Sequence, residues 1–468
     1  MGAAEGARGF SIMTRAFSQP SAAPPAKPAS GDLYRAVWRW HFYAGLLVLP
    51  FLILLAVTGA LYLFRDEIDT AVHADLKRVP YESGAVLASP SALVAAALAN
   101  TPGTAVKYTT PAQPDLSAEV TIKTAAGDKR AVYVDPYRAQ VLGTLPDRGT
   151  VMWTVRHLHS LRLFGPVTRG LIEITGGWTI LLIMTGIYLW WPRGQGGGVV
   201  SLRGTPKARV FWRDLHAVTG LTIGAILLFL AVTGLPWSGV WGAKVNEWAN
   251  GNNFGYPAGV RVAVPMSDEH LNHLGHTTWS LDQAKVPQSS ASPTQTTAIG
   301  LDNAVAIFDG LGLYPGYAVA LPTTPTGVYS GSVYPDDLSR QRVVHLDQYS
   351  GKPLIDMSYA DYGPLGKTLE FGINVHMGQQ FGLANQLILL VVCAGIVVLA
   401  VSAGVMWWKR RPRGSLGVPP LPADKRVLRG LVGLLVLGGL AFPLTGLSLL
   451  VMLGLDWLIT RRPRRRLA

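Results

Sequence analysis

The chain has 468 residues, of which 49% are hydrophobic and 15% charged, with a formal net charge of +13. That balance excludes both a disordered chain and an ordinary soluble enzyme. Nucleic acid is excluded as the reason for the positive charge, because Lys and Arg crowd into 1–41, 193–214, 409–429 and 456–468. The long segments between them are near neutral (65–168) or acidic (240–382), which is the pattern of short cytoplasmic loops in a membrane protein.

In chain order, residues 1–33 are rich in Ala, Pro, Ser and Gly and read as a disordered cytoplasmic tail. The apolar run Phe42–Phe64 makes 34–64 a first membrane span and an uncleaved signal anchor, stopped by Arg65-Asp66-Glu67-Ile68-Asp69. The segment 65–168 predicts one helix, Ser89–Asn100, with a serine cap. Strands follow at Ala105–Thr110, Ala118–Thr124 and Arg130–Val134, with a turn at Asp135-Pro136-Tyr137 and a return at Gln140–Leu142.

Leu171–Trp191 and Ala217–Gly239 predict spans at 169–192 and 215–239, joined by a cytoplasmic loop. The second long segment, 240–382, repeats the helix-and-meander pattern: helix Leu301–Leu311, then strands Tyr317–Leu321, Val328–Val333 and Arg342–Leu346. Its Val262–Ala298 stretch reads as inserted loops, and Trp237, Trp241 and Trp248 as an interfacial aromatic belt. Leu383–Trp408 predicts a span at 383–408, with a cytoplasmic loop after it. Pro443 divides the last apolar region into helices at 427–442 and 443–460, before a basic tail. The expected architecture is a membrane α-helical bundle of four core spans plus a C-terminal helical pair. Two α+β modules lie on the periplasmic side, and both termini lie in the cytoplasm of the inner membrane.

The chain also repeats itself. His41 is followed by Gly45 and by Thr58-Gly59, and His216 by Gly220 and Thr233-Gly234 at the same spacings. His159 leads to Phe164-Gly165 and Trp190-Trp191-Pro192-Arg193; His376 leads to Phe381-Gly382 and Trp407-Trp408-Lys409-Arg410. An internal duplication is expected, each copy carrying two histidines at the membrane edges.

Those motifs resemble the PepSY-associated transmembrane family: Trp-His opening a helix, Thr-Gly near its end, Leu-His before the next, and Trp-Trp at the exit. Val132-Tyr133-Val134-Asp135-Pro136-Tyr137 and Val344-His345-Leu346-Asp347-Gln348-Tyr349 look like the closing strand and turn of PepSY modules. The resemblance spans 34 to about 460. It implies an iron-regulated inner-membrane protein, similar to those that reduce ferric siderophores through two b-type haems.

A lone histidine at a helix end is ordinarily a polar side chain reaching the headgroups. Four at duplicated depths fit haem iron better, since a six-coordinate b-type haem takes two neutral imidazoles from facing helices of a bundle. His41 and His216 start outward-going helices and share the inner edge; His159 and His376 precede inward-going helices and share the outer one. Each site then takes one ligand from each half. Gly45 and Gly220, one turn beyond their histidines, leave room for a macrocycle or merely let helices approach. Arg39 and Arg213 are expected to meet haem propionates. His157 competes with His159 as a ligand, but its counterpart in the second copy is Asn374, which favours His159.

Glu173, just inside a span, is expected to handle a proton, to bond within a haem pocket, or to pair with Arg169. His270, His273 and His276 form H-x-x-H-x-x-H, read as a solvated loop or as an extra transition-metal site. Cys393 is the only cysteine, which excludes an intramolecular disulfide, an iron–sulfur cluster held by this chain alone and C-x-x-C-H haem. No nucleotide or flavin motif is present, so electrons would come from quinol or a separate reductase. The expected function is reduction of a ferric siderophore or other ferric chelate on the outer side. Peptide binding or protease restraint by the outer modules, and a siderophore permease, are the competing readings.

Overall fold

The computed structural model describes residues 30–193, 198–251, 266–270, 281, 284–290, 297–413, 416–419 and 425–461. Four helices are long and apolar enough to cross a bilayer: α1 (Ser30–Tyr62), α5 (Pro166–Trp190), α6 (Arg209–Gly234) and α10 (Gly382–Arg410). The helix α1 starts earlier than the apolar run predicts, so 30–33 belong to it and not to a tail. It packs on α5 and α10, and α6 packs on the same two, which closes a ring of four with α1 and α6 diagonal across its centre. A layer of Ala56, Ile223, Leu227, Val392 and Ile396 fills the middle.

All four helices present the same end to the two long segments between spans. There, α2 (Arg65–Val72) leads to α3 (Pro90–Asn100), where Ser89 caps by accepting from Ala92 N–H at 3.3 Å and Pro90 opens the first turn. Strands β1 (Thr104–Thr109), β2 (Ala118–Lys123), β3 (Lys129–Val134) and β4 (Val141–Pro146) form a meander. Beyond the bundle's third helix lie α7 (Val240–Gly251), a two-stranded ribbon of β5 (Met266–His270) and β6 (Lys285–Pro287), and α8 (Gly300–Gly310). A second meander follows: β7 (Ala318–Ala320), β8 (Val328–Val333), β9 (Arg342–Asp347) and β10 (Pro353–Ser358).

The two meanders are not separate modules. Strand β1 pairs antiparallel with β7, giving one eight-stranded sheet in the order β10-β9-β8-β7-β1-β2-β3-β4. Both α3 and α8 contribute to one core on this sheet, with Leu93, Phe308, Val319 and Leu346 buried together. At the two hairpin turns, Asp135 Oδ1 accepts from Tyr137 and Arg138 N–H, and Asp347 Oδ1 from Tyr349 and Ser350 N–H. These are Asx turns, which explains the aspartate at each strand end. The ribbon of β5 and β6 replaces part of the expected inserted loop; the rest of that stretch lies largely outside the described residues.

Two short helices return the chain to the bundle: α4 (Val151–His159) before α5, and α9 (Pro364–His376) before α10. Helix α4 lies against α1 and α9 against α6. At the C-terminus α11 (Lys425–Ala441) and α12 (Pro443–Arg461) divide at Pro443 and pack on α1 and α5. Trp178 Nε1 donates to Ser448 Oγ at 2.8 Å, and a Cβ on Gly439 would meet Gly446 Cα at 2.8 Å, so the last two helices touch backbone to backbone.

Candidate metal centres

His41 on α1 and His216 on α6 project from diagonal helices into the centre of the ring. Their ring centroids lie 6.5 Å apart with planes at 90°. Two imidazoles bound on opposite sides of one metal ion, each about 2 Å from it, bring their centroids roughly 6 Å apart. The pair is therefore spaced for one ion between them.

The hydrogen bonds fix which nitrogen would bind. Thr185 donates its hydroxyl to Leu181 O at 2.7 Å, so its oxygen is left to accept, and His41 Nδ1 lies 2.9 Å from it. His216 Nδ1 lies 3.1 Å from Leu399 O and 3.2 Å from Ser402 Oγ, and a carbonyl can only accept. Both rings thus carry their proton on Nδ1 and offer the Nε2 lone pair, the tautomer a metal ligand needs.

At the sheet end His159, at the C-terminus of α4, neighbours His376, at the C-terminus of α9, and the hydrogen-bonding pattern is repeated. Thr58 near the end of α1 donates to Leu54 O and accepts from His159 Nδ1–H at 2.9 Å. Thr233 near the end of α6 donates to Phe229 O and accepts from His376 Nδ1–H at 2.9 Å. Burial pushes His159 down to about 4, with Arg156 adding to the effect. Burial pushes His376 down to about 3, with the neighbouring His159 adding to it. Both rings are neutral at physiological pH, as ligation requires. Among the described residues, none of the four Nε2 atoms makes a hydrogen bond.

Three of the rings rest on a Thr-Gly step. A Cβ on Gly186 would come 3.4 Å from His41 Cε1, one on Gly59 3.5 Å from His159 Cε1, and one on Gly234 3.5 Å from His376 Cε1. The threonine orients the ring and the glycine after it leaves the ring space. The two pairs are separated by the length of α1 from His41 to Thr58, about 25 Å at about 1.5 Å per residue.

The sequence model for the PepSY-associated TM region matches residues 38–410, a stretch that encloses all four histidines. The chain belongs to that family. Among curated proteins none matches. In this PepSY-associated protein, the remaining residues singled out from sequence take other places.

Arg39 lies two residues before His41, about 200° round the helix and so on the opposite side. It stacks 5.4 Å from the Tyr43 ring and donates to Pro419 O, away from the paired histidines. Arg213 is engaged by buried Asp214 at 2.6 and 2.9 Å, together with Arg203. Both arginines are engaged by groups of the protein itself. Gly45 and Gly220 do leave space: a Cβ there would meet only Leu182 at 4.0 Å and Leu399 at 3.6 Å, ordinary contacts.

Glu173 does not pair with Arg169, which donates instead to Trp237 O. The buried Glu173 carboxylate accepts from Val240 N–H at 2.9 Å and Trp241 N–H at 3.2 Å, and so caps the N-terminus of α7. Trp241 is tied in turn to the C-terminal pair, donating to Ala441 O at 2.9 Å; it is an anchor as much as part of a belt. His157 lies 5.9 Å from the Trp153 ring on the same helix, the ring planes tilted at 58°. His270 ends strand β5, neither loop nor helix, while His273 and His276 lie outside the described residues. Among the described residues no group of three or more His, Cys, Asp or Glu is gathered as for a metal.

Sequence reading passes over Thr185-Gly186, Thr58 and Thr233 as ring partners. The signal was present but not selective: Thr-Gly occurs at 58–59, 185–186 and 233–234, near the ends of three of the four spans, and also at 175–176, 219–220, 326–327 and 445–446.

Proposed function

We propose that the protein is a transmembrane electron carrier with two bis-histidine haem b sites, reducing ferric iron held in a chelate at its sheet end. The observation that carries the reading is a pair of neighbouring imidazoles at each end of one bundle, each with Nδ1 tied down, the His41 and His216 rings lying 6.5 Å apart. Two b-type haems, when bound, supply one-electron transfer from one face of a bilayer to the other. His41 and His216 would hold one group, His159 and His376 the other, each pair joining the two halves of a duplicated chain. Thr58, Thr185, Thr233 and Ser402 orient those rings and raise their basicity. Gly59, Gly186 and Gly234 keep the rings clear of side chains. The apolar layer around Ile223, Leu227 and Val392 excludes water and ions between the sites, so charge does not leak with the electrons.

The Lys/Arg distribution supports an orientation with the His41 end in the cytoplasm and the sheet in the periplasm. Electrons then enter from quinol or a separate reductase and leave near His159 and His376. The test is reconstitution into lipid vesicles with a reductant trapped on the His41 side. Reduction of external ferric citrate that depends on the protein supports the reading, and a rate equal to protein-free vesicles overturns it.

A further inference from the structure

A cavity of about 520 Å³ opens between the sheet, α2 and the first turn of α4, on the helix that ends in His159. That volume is in the range of small-molecule sites. Its walls carry both signs of charge, and the pairing decides what is left over. Arg65 lies 3.2 Å from Asp66, and Lys107 lies 3.2 Å from Glu119. Asp69 accepts from Thr150 Oγ1 at 2.7 Å and Met152 N–H at 3.0 Å, capping α4. Among the described residues Lys77, Lys129 and Arg148 are in no ion pair, and they face the two remaining carboxylates, Asp69 and Asp147. The surplus is positive.

A second observation points to the same place. Arg148 has φ of 57°, a left-handed conformation that costs a non-glycine residue about 1–2 kcal/mol. Residues held so gather at functional sites. The Arg148 guanidinium lies 5.3 Å from the Trp153 ring, at the cavity. Tyr62 and Trp153 add ring faces to the lining. Cations outside ion pairs, set beside aromatic faces, suit an anion with carboxylate oxygens.

We infer that this cavity binds the terminal acceptor, an anionic ferric chelate whose oxygen donors meet Lys77, Lys129 and Arg148. The inference rests on the proposed reduction for its purpose, but the binding stands apart from it. From Thr150 to His159, α4 is about 13 Å long, so a chelate held here is close to the sheet-end pair.

The test uses gallium(III) citrate, which carries the charge and shape of the ferric chelate but is not reduced. Binding to the purified protein is followed by tryptophan fluorescence and calorimetry. The expected result is saturable binding that weakens about tenfold in Lys129→Glu/Arg148→Glu, what two partly screened ion pairs supply. Lys352→Glu, distant and exposed, should leave it unchanged. Equal binding by the double variant, or no saturable binding by the parent protein, overturns the site. Citrate alone binding as tightly makes the polycarboxylate the ligand and overturns the assignment to a chelate. Because gallium takes no electron, loss of the electron-transfer reading would leave these outcomes intact, and failure here would leave that reading intact.

Discussion

Replacing Thr58 with Val removes the acceptor for His159 Nδ1–H while keeping the shape of the side chain. The lost contact is a 2.9 Å hydrogen bond to a buried ring, worth about 1 kcal/mol net. Loss of a partner of this kind costs about 10–100-fold in metal affinity. The ring also becomes a weaker donor, which favours the reduced iron. At about 59 mV per tenfold for one electron, the sheet-end potential should rise by roughly 40–60 mV. Thr58→Val should therefore keep its fold, bind haem at the sheet end more weakly, and show one shifted and one unshifted potential in a spectroelectrochemical titration. Thr58→Ser should restore both. If Thr58→Val leaves both potentials and the haem content unchanged, the tautomer argument is wrong.

Gly186→Leu should cost the His41 end its haem and spare the other, read as half the haem content, because even a Cβ there would lie 3.4 Å from the His41 ring. Intact haem content in that variant would count against the steric reading. Glu173→Ala should destabilise the protein by about 1–3 kcal/mol through the uncapped α7 N–H groups, without altering electron-transfer rates; slowed transfer at normal stability would restore a proton-handling role. His345, buried against Ser330 Oγ at 2.8 Å, is pushed by burial from 6.5 down to about 4. The unfolded chain takes its proton first on acidification, so His345 stabilises fully above 6.5 and loses that contribution between about 6.5 and 4, about 3 kcal/mol in all. His345→Gln should flatten the fall of the thermal midpoint over that range, and an identical slope would refute the claim. Reporter fusions after Thr124 and Asp347 should report periplasm and one after Thr460 cytoplasm; a periplasmic C-terminus would contradict two spans after residue 426.

The spans were legible because hydrophobic length has one reading in a bilayer, and α1, α5, α6 and α10 follow the apolar runs. The meanders were legible strand by strand up to β9, since each hairpin is local. The pairing of β1 with β7 was not, because the residues from Lys107 to Ala320 that it joins leave no periodic trace in the chain. Helices α4 and α9 were hidden by their shortness, although they carry two of the four histidines. The histidines themselves stood out through repetition. Arg39 and His41 are close in sequence, but the helical period sets them on opposite sides of α1. Glu173 could not be read at all: its partners, Val240 and Trp241, arrive from the end of another span.

The measurement that bears most directly on the account is haem stoichiometry by pyridine haemochrome on detergent-purified protein expressed with haem supplied. The parent protein should carry two acid-extractable b-type haems per chain, and His41→Ala and His159→Ala one each, with the double variant carrying none. A folded parent protein without Soret absorption, or single variants that retain both haems, would contradict it.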